Sequence, residues 1–187
     1  MVGVTSLPET RGGPFTAADL EGMPDDGRRY EILDGVLVVS PSPRPLHQRV
    51  VRELTLLLHP LTPVGLELFF APLDVYLGED TVIEPDLVVA RSTDVGDRGV
   101  ERVPVLAVEV LSPRTRSIDL HVKRARLEHA GCASYWIVDP DEPSITAWDL
   151  HGGSYVEAGH AVGAKSCHLT RPFSVTITPA ALVAPHH

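Results

Sequence analysis

Two acidic interruptions of apolar runs mark where this chain could do chemistry. In VIEPDLVVA (82–90), Glu84 and Asp86 bracket Pro85 at the mouth of a strand-like run. In VPVLAVEVLSP (103–113), Glu109 stands inside one. A lone buried carboxylate is costly unless it is paired or binds a metal. Two arrangements would satisfy the pair. One is a salt bridge, for example from Glu109 to Lys123 or to an arginine. The other is a hard divalent cation, which takes one or two carboxylates together with waters and a substrate phosphate.

Alternation places Ala107, Glu109 and Leu111 on one side of their strand and Leu106, Val108 and Val110 on the other. Glu109 is near the C-terminal end, before Ser112-Pro113. Asp86 is at the start of its strand, so antiparallel neighbours would bring the two together. A helical wheel over 118–130 turns His121, Arg124 and Glu128 to solvent. Asp119, Lys123 and Arg126 fall on the opposite side. An Asp119–Lys123 pair at i,i+4 is worth only a few tenths of a kcal/mol and does not explain an inward lysine. A lysine aimed at two carboxylates can orient a water or stabilise charge on a phosphate.

His47 shares the apolar face of its helix, and reads either as a satisfied core histidine or as a site residue. Arg114, Arg116, Lys123, Arg124 and Arg126 crowd the segment after Glu109. Arginine suits phosphate recognition, and it is equally a common solvated surface residue.

Local pattern sets the elements that carry these groups. Residues 1–13 read as a flexible arm, and 14–187 as one domain. Thr16 can cap a short helix through Leu20. YEILDGVLVVS reads as a hairpin turned by Asp34-Gly35. A helix spans about 47–59, with Val50, Val51, Leu54, Leu57 and Leu58 on one face. Strands are expected at ELFFA, LDVYL, DLVVA, VLAVEVL and SYWIVDP, an antiparallel pair around Gly152-Gly153, and one near 173–177. RSTDVGDRGVERV reads as a loop, and Gly131 closes the helix over 118–130.

The 187 residues are enough for one sizeable core. No apolar run reaches the roughly 18 residues that span a bilayer, and MVGVTSLPETRGG does not read as a signal peptide. The expectation is a protein with no membrane association. Two cysteines, Cys132 and Cys167, make no disulfide framework and fit a reducing cytoplasm. The net charge of −9 weighs against strong non-specific binding to nucleic acid. His186-His187 carry no argument.

Pro85-Asp86, Glu109 and Lys123 resemble the PD-(D/E)XK nuclease superfamily. The sequence departs from its motif at Leu111, where a lysine is usual, and Lys123 on the next helix is placed as its relocated equivalent. A closer similarity is to the Uma-type family of small bacterial proteins with a restriction-endonuclease description. It rests on YEILDGVLVVSPSP, the helix from His47, EPDLVVA, LAVEVLSP, Asp119 with Lys123, and GCASYWIVDP, in that order. It covers roughly 28–150.

The resemblance implies an α/β fold: a restriction-endonuclease-like mixed sheet flanked by helices, with an N-terminal hairpin and C-terminal antiparallel strands. It implies that Asp86, Glu109 and the backbone carbonyl of Val110 bind Mg²⁺ or Mn²⁺, that Lys123 positions the attacking water, and that Glu31, His47 and Glu84 are accessory. Arg114, Arg116 and Arg126 become candidates for contact with nucleic acid. The implied activity is endonucleolytic hydrolysis of DNA. The implied assembly is a homodimer, since cutting two strands with one small domain needs two sites. No separate DNA-reading module is present, and a non-catalytic nucleic-acid-binding or assembly module that retained the fold is the alternative.

Overall fold

Asp34 and Gly35 have φ of 53° and 74°, the doubly left-handed turn whose twist matches two antiparallel strands. They join β1 (Arg29–Leu33) to β2 (Val36–Ser40) in the expected hairpin. The computed structural model describes residues 13–185. Of the expected arm only Gly13 falls within them, and His186-His187 also lie outside. Before the hairpin, α1 (Ala17–Leu20) starts at Thr16, whose backbone and hydroxyl both bond the Asp19 carboxylate.

The architecture is mixed α/β, as expected, with a difference in the sheets. One six-stranded sheet runs β12-β11-β10-β9-β6-β3, and a second runs β2-β1-β5-β4-β8-β7. The first holds β3 (Leu66–Phe70), β6 (Leu87–Arg91), β9 (Leu106–Val110), β10 (Ser134–Asp139), β11 (Ser144–His151) and β12 (Ser154–Val162). Within it only β9 and β10 run parallel. The N-terminal hairpin is not an appendage. It belongs to the second sheet with β4 (Val75–Gly78), β5 (Thr81–Ile83), β7 (Val95–Gly96) and β8 (Gly99–Val100). The segment expected as a loop after β6 therefore contains a 3₁₀ turn and two short strands. Strands of two or three residues are too short to show a period.

VIEPDLVVA is not one strand. Thr81–Ile83 pairs in the second sheet and Leu87–Arg91 in the first. Glu84, Pro85 and Asp86 make the crossing, where a proline without an N–H cannot continue a ladder.

Helix α2 (Pro45–Leu58) lays Val50, Val51, Leu54 and Leu58 on one face of the first sheet, against Leu106, Val108 and Val110. The same core takes β13 (Cys167–Leu169), β14 (Val175–Ile177) and α4 (Pro179–Val183). The other face packs Ala107, Leu111, Tyr135 and Ile137 against the second sheet and against Leu127 of α3 (Arg124–Ala130). The turn leading into α3, Ile118–Lys123, winds as a π-helix, not as the expected regular helix. Gly131, at φ 91°, closes α3. Among the described residues no helix is long and apolar enough to cross a membrane.

Candidate functional site

Strand alternation assembles the site. On β1, Arg29 and Glu31 share a side. On β9, Glu109 shares its side with Ala107 and Leu111. Leu87 pairs antiparallel with Val108. Asp86 therefore lies one step beyond the last backbone pair, with the parity of Val88 and Ala90. Val88, Ala90, Ala107 and Leu111 all line one core, so Asp86 and Glu109 face the same way. The amide of Val110 donates to Asp86 Oδ2 at 2.8 Å, which extends the pairing by a side chain.

The π-helical turn supplies the lysine. Its wider i→i+5 winding brings residues four apart closer to a single line than a regular helix does. Asp119 and Lys123 are both buried. Lys123 Nζ lies 2.7 Å from Glu31 Oε1, 3.0 Å from Glu109 Oε1 and 3.5 Å from Asp119 Oδ1. The hydroxyl of Tyr135 donates to the Asp119 carbonyl at 2.9 Å and holds the turn down. Arg126, expected inward beside Lys123, is instead on the surface, paired with Asp34 at the hairpin turn.

Asp86 is enclosed by donors. Arg29 Nη1 bonds Oδ1 at 2.8 Å, and His47 Nε2 lies 3.1 Å from Oδ2. Burial opposes the charge on Asp86, but His47, Arg29 and the Val110 amide outweigh it and lower the pKa. Glu109 goes the other way. Burial raises its pKa well above the usual carboxylate range; Lys123 opposes the rise, while Asp119, Asp86 and Glu31 add to it. Asp119 is raised for the same leading reason. Lys123 keeps its charge despite burial, because Glu109, Glu31 and Asp119 hold its pKa up. Glu84 donates its amide to Glu31 Oε1 at 2.8 Å, and its own Oε2 is buried without a hydrogen bond among the described residues. Burial, with Glu31 and Asp74, raises the Glu84 pKa to about 7.

Four buried carboxylates, Glu31, Asp86, Glu109 and Asp119, thus face two fixed cations, Arg29 and Lys123. The cluster lacks positive charge. Two open clefts of about 300 Å³ each lie beside it, with Arg29 and Pro43 lining both. One is lined by Arg29, Arg44, His47, Ser112 and Arg114. The other is lined by Arg28, Arg29, Glu84 and Asp86. Of the three arginines expected to meet nucleic acid, Arg114 lines a cleft, Arg116 turns to Asp139, and Arg126 turns to Asp34.

A family model described as "Putative restriction endonuclease", Uma2, matches residues 17–180. The chain belongs to the Uma2 family. Its fold is similar to a crystal structure of a "putative nuclease" of the DUF820 group from Anabaena variabilis. The two share 17% identity and a TM-score of 0.71, over 91% of this chain and 98% of that one. That likeness speaks to fold. No curated protein matches.

Among the described residues of this Uma2 protein, no three His, Cys, Asp or Glu side chains form a ready-made metal cage. A Mg²⁺-type ion does not require one, since it keeps waters and takes one or two carboxylates. The donor set of Asp86 and Glu109, set in a cluster with surplus negative charge, fits such an ion. Val110 meets the site through its amide; the expectation for its carbonyl stands on resemblance alone. Arg29 is the residue that sequence reasoning missed. The signal was its place two residues before Glu31 in RYE, on the same side of a strand.

Proposed function

We propose that this Uma2 protein is a Mg²⁺- or Mn²⁺-dependent nuclease that hydrolyses phosphodiester bonds of DNA. The observation that carries the reading is the buried cluster of Asp86, Glu109 and Lys123, whose partners Arg29 and His47 line a cleft together with Arg44 and Arg114. Asp86 and Glu109 would hold the ion, with the Val110 carbonyl. When bound, such an ion supplies Lewis acidity and lowers the pKa of a water. Lys123 would orient the attacking water and oppose negative charge as it develops. Glu31 positions Lys123 through their 2.7 Å bridge. His47 and the Val110 amide hold Asp86 in place. Arg114 would take a backbone phosphate in the cleft, and Arg44 would join it on leaving its 2.7 Å pair with Asp141.

The test is a nuclease assay on supercoiled, linear and single-stranded DNA with Mg²⁺ or Mn²⁺. The expected result is cleavage by the wild type and none by Asp86→Ala at equal folded concentration. Equal cleavage by the two removes the proposed site. A homodimer accords with double-strand cutting, and light scattering on a sizing column reads it. Cys132 and Cys167 are both buried and free, which supports a reducing compartment.

A second reading has its own observation. Asp86 is already bonded on both oxygens, as expected of a binding or assembly module that kept the fold as structure. A calorimetric titration with Mn²⁺ separates the two: binding favours the nuclease, and its absence favours the module.

A further inference from the structure

Arg29 uses little of its hydrogen-bonding capacity. Nη1 bonds Asp86 Oδ1 at 2.8 Å and reaches the Glu84 carbonyl only at 3.5 Å. Its Nε is buried and finds no acceptor among the described residues. A guanidinium is a rigid fork built for two parallel bonds to a carboxylate or phosphate, and here it makes one. The side chain is 18% exposed and lines both clefts. On Asp86, Oδ2 is held from behind by His47 and the Val110 amide, so Oδ1 is the oxygen that Arg29 covers.

We infer that Arg29 is an exchangeable latch on Asp86, released when a phosphate of the substrate enters the arginine-lined cleft and takes the guanidinium fork. The inference rests on the reading that Asp86 and Glu109 hold a divalent ion. In the free protein the guanidinium partly neutralises Asp86 and occupies the oxygen that the ion needs. An ion arriving alone must displace a charge-assisted bond and leave Arg29 beside it, cation against cation. A phosphate arriving alone must draw Arg29 away and leave Asp86 short of a partner. When both arrive, phosphate takes the fork and the ion takes Oδ1, and each removes the other's penalty. Ion and phosphate therefore bind cooperatively, and the coupling is reciprocal. Arg29 acts here as a positioning residue that keeps ion affinity low until substrate is present. It also reconciles a doubly bonded Asp86 with a metal-dependent activity.

The experiment is Mn²⁺ titration calorimetry on the full chain, with and without thymidine 5′-monophosphate. This probe carries a phosphate but no diester bond to cut, and blank titrations correct for Mn²⁺ bound to it. The variants are Arg29→Gln and Arg29→Lys, with a thermal melt of each. Wild type is expected to bind Mn²⁺ roughly tenfold tighter in the presence of the nucleotide, within the usual range of coupling. Arg29→Gln is expected to bind Mn²⁺ roughly tenfold tighter than wild type without nucleotide, and to gain less from nucleotide than wild type does. Arg29→Lys keeps the charge but not the fork, so it should fold like wild type and lose most of the coupling. It decides the question if Arg29→Gln fails to fold. Full coupling in Arg29→Lys, or equal Mn²⁺ affinity in wild type and Arg29→Gln, overturns the latch and leaves the nuclease reading standing. No Mn²⁺ binding in any protein under either condition overturns that reading, and the latch with it.

Discussion

Lys123 lies closer to Glu31 than to Glu109, at 2.7 Å against 3.0 Å. The lysine is thus anchored by the second sheet as well as by the carboxylate beside which it would act. Removing it leaves Glu31, Glu109 and Asp119 buried without their cation. Lys123→Met should cost about 3–5 kcal/mol, the usual penalty for breaking a buried ion pair from one side. Adding Glu31→Met removes one stranded charge, so the double variant should be more stable than Lys123→Met alone. Urea unfolding of the four proteins measures this, and strict additivity would mean that the contact carries no coupling. Nuclease activity should vanish in Lys123→Met while Mn²⁺ affinity persists, because lysine is not a ligand.

Glu109 should trade stability for function. Its pKa is raised by burial and by neighbouring carboxylates, with Lys123 only partly compensating. Glu109→Gln removes a charge from a cluster that already has too many. In chelator, the variant should melt at the same or a higher temperature than wild type. Added Mn²⁺ should then stabilise wild type and leave Glu109→Gln unmoved, because only the former gains a bound ligand. A variant that melts lower in chelator would show that the carboxylate is structural.

Asp139 gives the pH prediction. Burial works against its charge, but Arg116 and the amides of Glu142 and Asp141 outweigh it and lower its pKa from 3.8. A depressed carboxylate stabilises the fold above its unfolded pKa, and that stability is lost as pH falls through the folded value. Asp139→Asn should therefore be less stable than wild type at pH 7, and the two stability curves should converge below about pH 4. Denaturant unfolding across that range tests it. Parallel curves would remove Asp139 from the acid response.

Cys132 is fully buried, and burial pushes its thiol up to about 11. The thiolate is the reactive species. An aromatic disulfide reagent at pH 8 should label Cys132 only after denaturant is added. Rapid labelling of native protein would show that the strand region around Ser134 opens readily.

Much of the site was legible because it rests on regular periods. Alternation in VLAVEVL set the side of Glu109, and the antiparallel neighbour brought Asp86 to it. The i,i+4 spacing of Asp119 and Lys123 survived the change from regular helix to π-helix, since both windings keep such residues close. Arg126 lies on the flank of the regular turn that follows, about 60° from Lys123, and pairs outward with Asp34. Arg29 was not legible as a partner of Asp86, 57 residues away: its place in RYE puts it on the side of Glu31 but does not say that Asp86 lies opposite. The second sheet was hidden for a different reason. Its smallest strands, Val95–Gly96 and Gly99–Val100, are two residues each, too short for a pattern; they pair with each other, and only Val100 reaches a distant neighbour, Val75.

The crossing at Glu84-Pro85-Asp86 ties the cluster to the completeness of the chain. Arg29 and Glu31 come from an early strand of one sheet, Asp86 and Glu109 from the other, and Lys123 from a turn that comes after both. A nascent chain still on the ribosome can present some of these groups but not the set until Lys123 has emerged and the sheets have closed on each other. If the cluster cuts nucleic acid, it does so only as a finished molecule.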